Sequence, residues 1–390
     1  MSRLMNIPET IEKKFKELFG ESPLLIRSPG RVNLIGEHTD YNMGYVLPGA
    51  IDKAIYFAIS PRDDYRCRLF ATDMNEDFEF SLEGFSKSRK SWPNYLMGVA
   101  EQMKNRGLSL KGFNCVFGGD IPVGAGLSSS AAIEAGLAFS LNRIFNLGLE
   151  KLSLVKLSQQ AENEFVGVKC GIMDQYINIF GKAGNLLRID CRSLENEYFP
   201  FNFEDISVVL FDTGVSHSLA TSEYNQRRKE CNEGVGVIKK DFPLVESLRD
   251  VTIDLLNEYK KKIDPVVFKR CRYAVEENER LLRACNALIS NDLNQFGSLM
   301  YQTHTGLSSD YQVSCPELDY LVELTKDNPR VYGSRMMGGG FGGCTINLIE
   351  KNSIDEIRRS VSEAYSRKFR LNSKTYITCI SGGTGIIPNN

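Results

Sequence analysis

Gly118-Gly-Asp-Ile-Pro-Val-Gly-Ala-Gly-Leu-Ser-Ser-Ser-Ala-Ala-Ile-Glu134 is the stretch whose reading decides the fold. An alternating apolar run, Phe113-Asn-Cys-Val-Phe117, stands before it. Ala131 to Phe139 behind it reads as a helix. A strand, a glycine loop and an Ala-rich helix make an anion site. Glycines let the backbone approach a ligand, and the first-turn N–H groups face it with the positive end of the helix dipole behind them. Ser128, Ser129 and Ser130 add hydroxyls able to cap the helix, bond phosphate or ligate a metal. The loop is not of the Walker type, which starting at Gly119 would need Lys where Ala125 stands. Nor is it a Rossmann fingerprint, which starting at Gly124 would need Gly where Ser129 stands. A serine-capped helix with nothing bound is the plain alternative.

A chain of 390 residues suggests two domains with a cleft between them. A texture change near Asp205 sets the boundary, giving residues 1–204 and 205–390. The formal net charge is −2, and no basic stripe points to nucleic acid. No apolar run is long enough to span a bilayer. Ten cysteines are scattered without a Cys-x-x-Cys pair, which predicts reduced, mostly buried thiols. Three histidines, His38, His217 and His304, are too few for a multi-histidine metal centre. A cytoplasmic monomer that meets small molecules, without nucleic acid or membrane, is expected.

Upstream, Pro8 to Gly20 reads as an amphipathic helix with Ile11, Phe15, Leu18 and Phe19 on one face. Leu24–Ile26 and Val32–Ile35 read as strand pieces broken at Pro29-Gly30. Gly36-Glu-His-Thr-Asp-Tyr-Asn-Met-Gly44 is then a polar loop. Its acceptors and donors beside an aromatic suit a polyol, although a solvated turn has the same composition. Trp92 to Met103 reads as a helix whose Trp belongs in the core. Another helix covers Ser153 to Val166, with Glu162 off its apolar stripe and so on a solvated face. Asp174, among apolar neighbours, is either a cap or a carboxyl with a perturbed pKa.

In the second half, Ile206 to Asp212 reads as a buried strand. Helices run from Ala220 to Cys231, with Arg227, Arg228 and Lys229 as a solvated face, from Ala274 to Ile289, and around Leu293 to His304. Gly338, Gly340 and Gly343 formally satisfy G-x-G-x-x-G, but a strand-like run follows them instead of a helix. That implies a second glycine turn in close contact with a ligand or the other domain. Ser353 is the expected cap of a helix to Phe369, and Thr375–Ile380 the last strand.

Together these segments resemble the galacto-, homoserine, mevalonate and phosphomevalonate kinase superfamily. Gly30-Arg-Val-Asn-Leu-Ile-Gly-Glu-His-Thr-Asp-Tyr41 is similar to the signature of its galactokinase family. Pro122 to Ala131 resembles the superfamily phosphate loop, and Met337 to Gly343 its third motif. Gly171-Ile-Met-Asp-Gln175 and Ser222 to Arg228 also match galactokinase segments. The resemblance implies an α+β fold of two domains with the site between them: a mixed sheet in the first, an antiparallel sheet with helices in the second. It implies ATP and D-galactose as substrates and Mg2+ as cofactor.

The same resemblance implies residue roles. Gly124, Ala125, Gly126, Leu127, Ser128, Ser129 and Ser130 would hold the nucleotide phosphates. Ser130 and Glu162 would hold magnesium. Asp174 would be the base at the C1 hydroxyl, with Arg31 beside it and the transferring phosphate. Glu37, His38, Thr39, Asp40, Gly171, Asp174 and Tyr224 would bind the sugar, and Trp92 would lie near the nucleotide base. A kinase of a related sugar, such as N-acetylgalactosamine or arabinose, and a sugar-and-ATP sensor without turnover are the competing readings.

Overall fold

The computed structural model describes residues 6–122, 124–215 and 220–388; of residues 220–222 it describes the backbone only. His217 and Val123 lie outside these ranges. The strands in chain order are β1 (Leu24–Asn33), β2 (Tyr45–Val46), β3 (Pro48–Pro61), β4 (Arg66–Ala71), β5 (Glu76–Ser81), β6 (Phe113–Gly119), β7 (Asn185–Asp190), β8 (Asn196–Pro200), β9 (Ile206–Asp212), β10 (Val331–Met336), β11 (Cys344–Glu350), β12 (Lys374–Thr378) and β13 (Gly385–Ile386). The helices are α1 (Ile7–Phe19), α2 (Trp92–Asn105), α3 (Ser129–Ile144), α4 (Lys151–Gln160), α5 (Met173–Phe180), α6 (Ala220–Lys239), α7 (Ile253–Glu258), α8 (Pro265–Ile289), α9 (Leu293–Gly306), α10 (Pro316–Lys326) and α11 (Ile354–Phe369).

Six strands form a mixed sheet in the order β13-β1-β3-β6-β4-β5, in which only β4 and β6 run parallel. Four form an antiparallel sheet, β10-β11-β9-β12. This is the α+β pairing of sheets implied by the resemblance. A third sheet, β2-β7-β8, was not foreseen.

Strand β9 shows how the halves meet. Side chains alternate across a sheet. Val208 and Leu210 therefore join a core shared with Phe57 and Phe113 of the first sheet, while Val209 and Phe211 pack on the other face with Val361 and Tyr365. The tail also returns, pairing β13 with Ile26 and Arg27 of β1.

Several local expectations are corrected. The strand around Pro29-Gly30 is continuous. A register shift between Pro29 and Arg31 absorbs the extra residue, and β13 does not extend to Pro29, so its missing N–H costs no ladder bond. Leu18 is 39% exposed and lies outside the buried stripe of α1. The helix through Glu162 changes pitch, with α4 giving way to a π-helical turn over Ala161–Val166. Ser353 makes no capping bond; its hydroxyl accepts from Arg330 instead. Arg227 is buried, because its guanidinium donates to the Tyr311 and Gln312 carbonyls at 2.7 and 2.8 Å.

Candidate active site

The loop between β6 and α3 turns its backbone outward and its anchors inward. Gly124 and Gly126 are exposed, while Ala125 and Leu127 are buried. Both glycines have left-handed φ, 79° and 75°, which a side chain would strain. Ser128 is also left-handed and makes no capping bond; its hydroxyl donates to Asp174 Oδ2 instead. The glycine turn after β10 lies opposite: a Cβ built on Gly126 would stand 3.9 Å from the Met337 carbonyl, and one on Gly338 would stand 3.9 Å from the Gly126 carbonyl. The G-x-G-x-x-G lookalike is thus the wall facing the phosphate loop.

Arg31 joins this loop to a cavity of about 290 Å³. Nε donates to Asp174 Oδ1 at 2.8 Å and Nη2 to Oδ2 at 2.9 Å, a bidentate pair. The third nitrogen, Nη1, donates to the Gly126 carbonyl, and the Arg31 backbone N–H to the Leu127 carbonyl at 3.2 Å. Burial works against the Arg31 charge, but the Asp174 carboxylate outweighs it and holds the guanidinium above its usual range. Asp174 sits in the first turn of α5, whose N-cap is Ile172, so it is not a cap. Its bidentate pairing with Arg31 fixes its carboxyl in the cavity wall.

The polar loop supplies the cavity's other wall. Glu37, His38, Asp40, Gly171 and Tyr224 all line it. Glu37 Oε2 accepts from the Gly338 N–H at 3.0 Å and from Arg335 Nη1 at 2.8 Å. Asp40 Oδ1 accepts from the Tyr41 N–H at 2.9 Å. Burial, with the Asp174 and Glu37 charges nearby, pushes the Asp40 carboxyl up to about 7. Burial, with Arg227 and Arg335 nearby, pulls His38 down to about 4, so its imidazole is neutral at physiological pH. Thr39 does not reach the cavity. Its hydroxyl turns into the loop, bonding the Gly36 and Tyr45 carbonyls at 3.0 and 2.5 Å. Trp92, expected in the core and near the nucleotide base, is buried and packs on Phe78 and Phe117, with Nε1 donating to Glu76.

Glu162 is buried, not solvated: it continues the side of the helix that carries the buried Val155 and Ser158, next to Glu134 of α3. Gln175 Nε2 bridges the two carboxyls, at 2.7 Å to Glu162 and 3.4 Å to Glu134. Cys170 Sγ lies 3.2 Å from Glu162. Burial raises the pKa of both carboxyls, reinforced by the Glu162 charge at Glu134 and by the Asp174 charge at Glu162, while a hydrogen bond from Glu134 favours the ionised form of Glu162. Glu134 Oε1 is buried with no partner among the described residues, and the Ser130 hydroxyl favours the ionised form of Glu162. Two crowded carboxyls, one of them with an orphaned oxygen, and a hydroxyl are a donor set that fits a hard cation. Among the described residues no three His, Cys, Asp or Glu side chains form a metal cluster. A set of this kind suits Mg2+, which takes one or two carboxylates and completes its shell with phosphate oxygens and water.

Sequence reasoning missed Arg335, Glu134, Tyr273 and Tyr311. Arg335 is fully buried and stands next to the recognised glycine motif, which was the only available signal.

Comparison with known proteins agrees with this geometry. The GHMP kinases N terminal domain pattern matches residues 94–182 and the GHMP kinases C terminal pattern residues 281–367. With the phosphate loop and the facing glycine turn, they define a GHMP kinase. Mevalonate kinase of Methanococcus jannaschii shares the fold, with a TM-score of 0.66 at 19% identity over 93% of this chain and 99% of that one. The galactokinase galactose-binding signature matches residues 13–61. Galactokinase of Roseiflexus sp. (strain RS-1) is 41% identical over 97% of both chains, and that of Chloroflexus aggregans 44% over 92% of both. The structure of Lactococcus lactis galactokinase complexed with galactose superposes with a TM-score of 0.94 at 33% identity, covering 98% of this chain and all of that one. The chain belongs to the galactokinase family, which are ATP-dependent sugar kinases.

Proposed function

We propose that this protein transfers the γ-phosphoryl group of ATP to the C1 hydroxyl of D-galactose, giving galactose 1-phosphate. The observation that carries the reading is the Arg31–Asp174 pair, which ties the phosphate loop to the cavity lined by Glu37, His38 and Asp40. Asp174 accepts the C1 proton. Arg31 pairs with the Asp174 carboxyl and neutralises charge on the transferring phosphoryl group. The glycine loop from Gly124 to Ser130 holds the nucleotide phosphates with backbone N–H groups and hydroxyls. Phosphoryl transfer asks for positioning and charge neutralisation more than covalent help, and these residues offer both without a Walker lysine.

Glu37, Asp40 and the neutral His38 bind the sugar hydroxyls as acceptors and donors, beside Tyr224 and the bare backbone of Gly171. Thr39 acts through the shape of the loop. Ser130 and Glu162 hold Mg2+, with Glu134 behind them; the ion supplies charge neutralisation on the phosphates when bound. The two-domain division at residue 205 follows the two main sheets, apart from the returning tail. No helix among the described residues is long and apolar enough to cross a membrane, and a cytoplasmic monomer is part of the proposal.

The test is a panel of galactose, glucose, N-acetylgalactosamine, arabinose, mevalonate and homoserine with Mg-ATP, the phosphorylated carbon being identified by NMR. Phosphate at C1 of galactose, with glucose hardly used, is expected, because buried groups left unpaired by an equatorial 4-hydroxyl penalise binding. Equal kcat/KM for galactose and glucose would overturn it.

A further inference from the structure

A chain of buried hydroxyls leads away from the cavity behind His38. His38 is 4% exposed. Its Nδ1 lies 2.8 Å from the Tyr41 hydroxyl, which lies 2.8 Å from the Tyr311 hydroxyl, which in turn lies 3.2 Å from Cys231 Sγ. Tyr311 and Cys231 are fully buried. The other ring nitrogen, Nε2, is buried without a hydrogen-bond partner of good geometry among the described residues; the Gly339 backbone is near enough to favour the protonated ring but leaves that bond unmade, and the imidazole lines the cavity. A buried polar nitrogen left open beside a cavity points to a ligand atom.

The direction of the chain follows from its ends. One proton must occupy each link. If the protons run toward the histidine, Cys231 donates to Tyr311, Tyr311 to Tyr41, and Tyr41 to Nδ1. The run then ends on an imidazole nitrogen, a strong acceptor. Reversed, it ends on sulfur, a weak acceptor, and uses imidazole N–H as donor where the more acidic phenol is available. The first direction is favoured, and it leaves the single ring proton of neutral His38 on Nε2. Tyr311 cannot easily turn away. It closes the π-helical turn Leu307–Tyr311, its carbonyl accepts from Arg227 Nε at 2.7 Å, and its ring packs 4.7 Å from that of Tyr273.

We propose that Tyr41 and Tyr311 are positioning residues that fix His38 as an Nε2–H donor toward a substrate hydroxyl. With galactose as that substrate, the claim rests on the proposed function above. The acceptors Glu37 and Asp40 are then complemented by one oriented donor. Tyr41→Phe removes the bond to Nδ1 and keeps the ring, and Tyr311→Phe breaks the next link.

With three histidines in the chain, long-range 1H–15N correlation on labelled protein resolves each ring, His38 being assigned by its loss in His38→Gln. The wild type should show neutral His38 protonated on Nε2. Tyr41→Phe should mix the two tautomers. It should also raise the galactose KM about 2- to 10-fold, the worth of one neutral hydrogen bond, with kcat little changed. Tyr311→Phe should act in the same direction more weakly. A wild-type His38 protonated on Nδ1 overturns the proposal, as does a Tyr41→Phe protein with tautomer and KM unchanged. If the wild type does not phosphorylate galactose, the substrate reading alone falls, since the ring measurement needs no sugar and still decides the tautomer.

Discussion

Gly171 has no room for a side chain because the carboxylate of Asp40 fills the space: a Cβ built there would stand 1.6 Å from Asp40 Oδ2. The two residues come from different segments of the cavity wall, so the glycine sets how far the carboxylate can enter. Gly171→Ala must push Asp40 aside. Misplacing a binding group by about 1 Å can cost on the order of 10²-fold, and the galactose Kd is expected to rise at least tenfold while the protein stays folded. Titration calorimetry on the folded variant checks this. An unchanged Kd would mean that Asp40 does not meet the sugar.

Arg335 gives a prediction about stability. Its side chain is wholly buried and bonds the Glu37 carboxylate and the carbonyls of Asn33, Leu34 and Met336. Removing one partner of a buried ion pair typically costs about 3–5 kcal/mol, since the other charge is left uncompensated. Arg335→Ala should therefore lower the denaturation midpoint strongly. The lysine variant, with one charged nitrogen where Arg335 uses three, should recover only part. A loss under about 1 kcal/mol in Arg335→Ala, the size of an exposed pair, would contradict the burial.

The sequence made the cavity legible through its motifs and left its supports hidden. Glycines and polar clusters at fixed spacing announce themselves, because few folds need Gly124 and Gly126 or Glu37 to Asp40 in that order. Buried supports do not. Arg227 sits in a basic run that reads as solvent-facing, and only the approach of the Tyr311 carbonyl reveals its burial. Glu162 lies off the Leu154–Leu157–Ala161 stripe but keeps helical spacing with Val155 and Ser158, a second buried face that their mixed chemistry hides in the sequence. Pro29 suggested a break where a register shift absorbed it. The sheet β2-β7-β8 stays hidden because β2 is only two residues long and β8 is mostly exposed, without the apolar alternation of a half-buried strand.

Opposing carboxyl and imidazole shifts make a pH prediction. Asp40, pushed up to about 7 from an unfolded value of about 3.9, is protonated when folded and ionised when unfolded between those values. Its contribution is fully present below about pH 4 and lost as pH rises through about 7. His38, lowered to about 4 from about 6.5, acts with the opposite sign, its contribution growing as pH rises from about 4 to 6.5. Relative to wild type, Asp40→Asn should gain stability as pH rises from about 5 to 7.5, and His38→Gln should gain as it falls over the same span. Urea midpoints at both ends decide it; parallel profiles for all three proteins would remove the buried-charge account.

Glu162→Ala should weaken magnesium binding in the presence of a non-hydrolysable ATP analogue, read directly by calorimetry, while the galactose Kd is nearly unchanged. The motivation is the crowding of Glu162 against Glu134 beside Ser130. The change removes a buried carboxyl whose charged form burial disfavours, so the folded protein should tolerate it. Magnesium affinity equal to wild type would return Glu162 to a purely structural role.

Asp174 allows base and binder to be separated. As a base it takes the C1 proton; as a fixed anion it only orients the sugar and pairs with Arg31. Asp174→Asn keeps the shape and one acceptor oxygen but removes the charge and the proton acceptor. General-base catalysis is typically worth about 10²–10⁴-fold. A fall of kcat in that range is expected, with the galactose Kd changed far less. Arg31 loses a charged partner at 2.8 Å but keeps the Gly126 carbonyl, so the phosphate loop should hold its place, as circular dichroism and nucleotide affinity can verify. The Ser128 hydroxyl, which now donates to Asp174 Oδ2, can still donate to the amide oxygen. Ser128→Ala, removing that bond alone, should cost far less than Asp174→Asn. If the folded Asn variant turns over within a few-fold of wild type, Asp174 is not the base; if Kd collapses while bound sugar reacts normally, its role is binding.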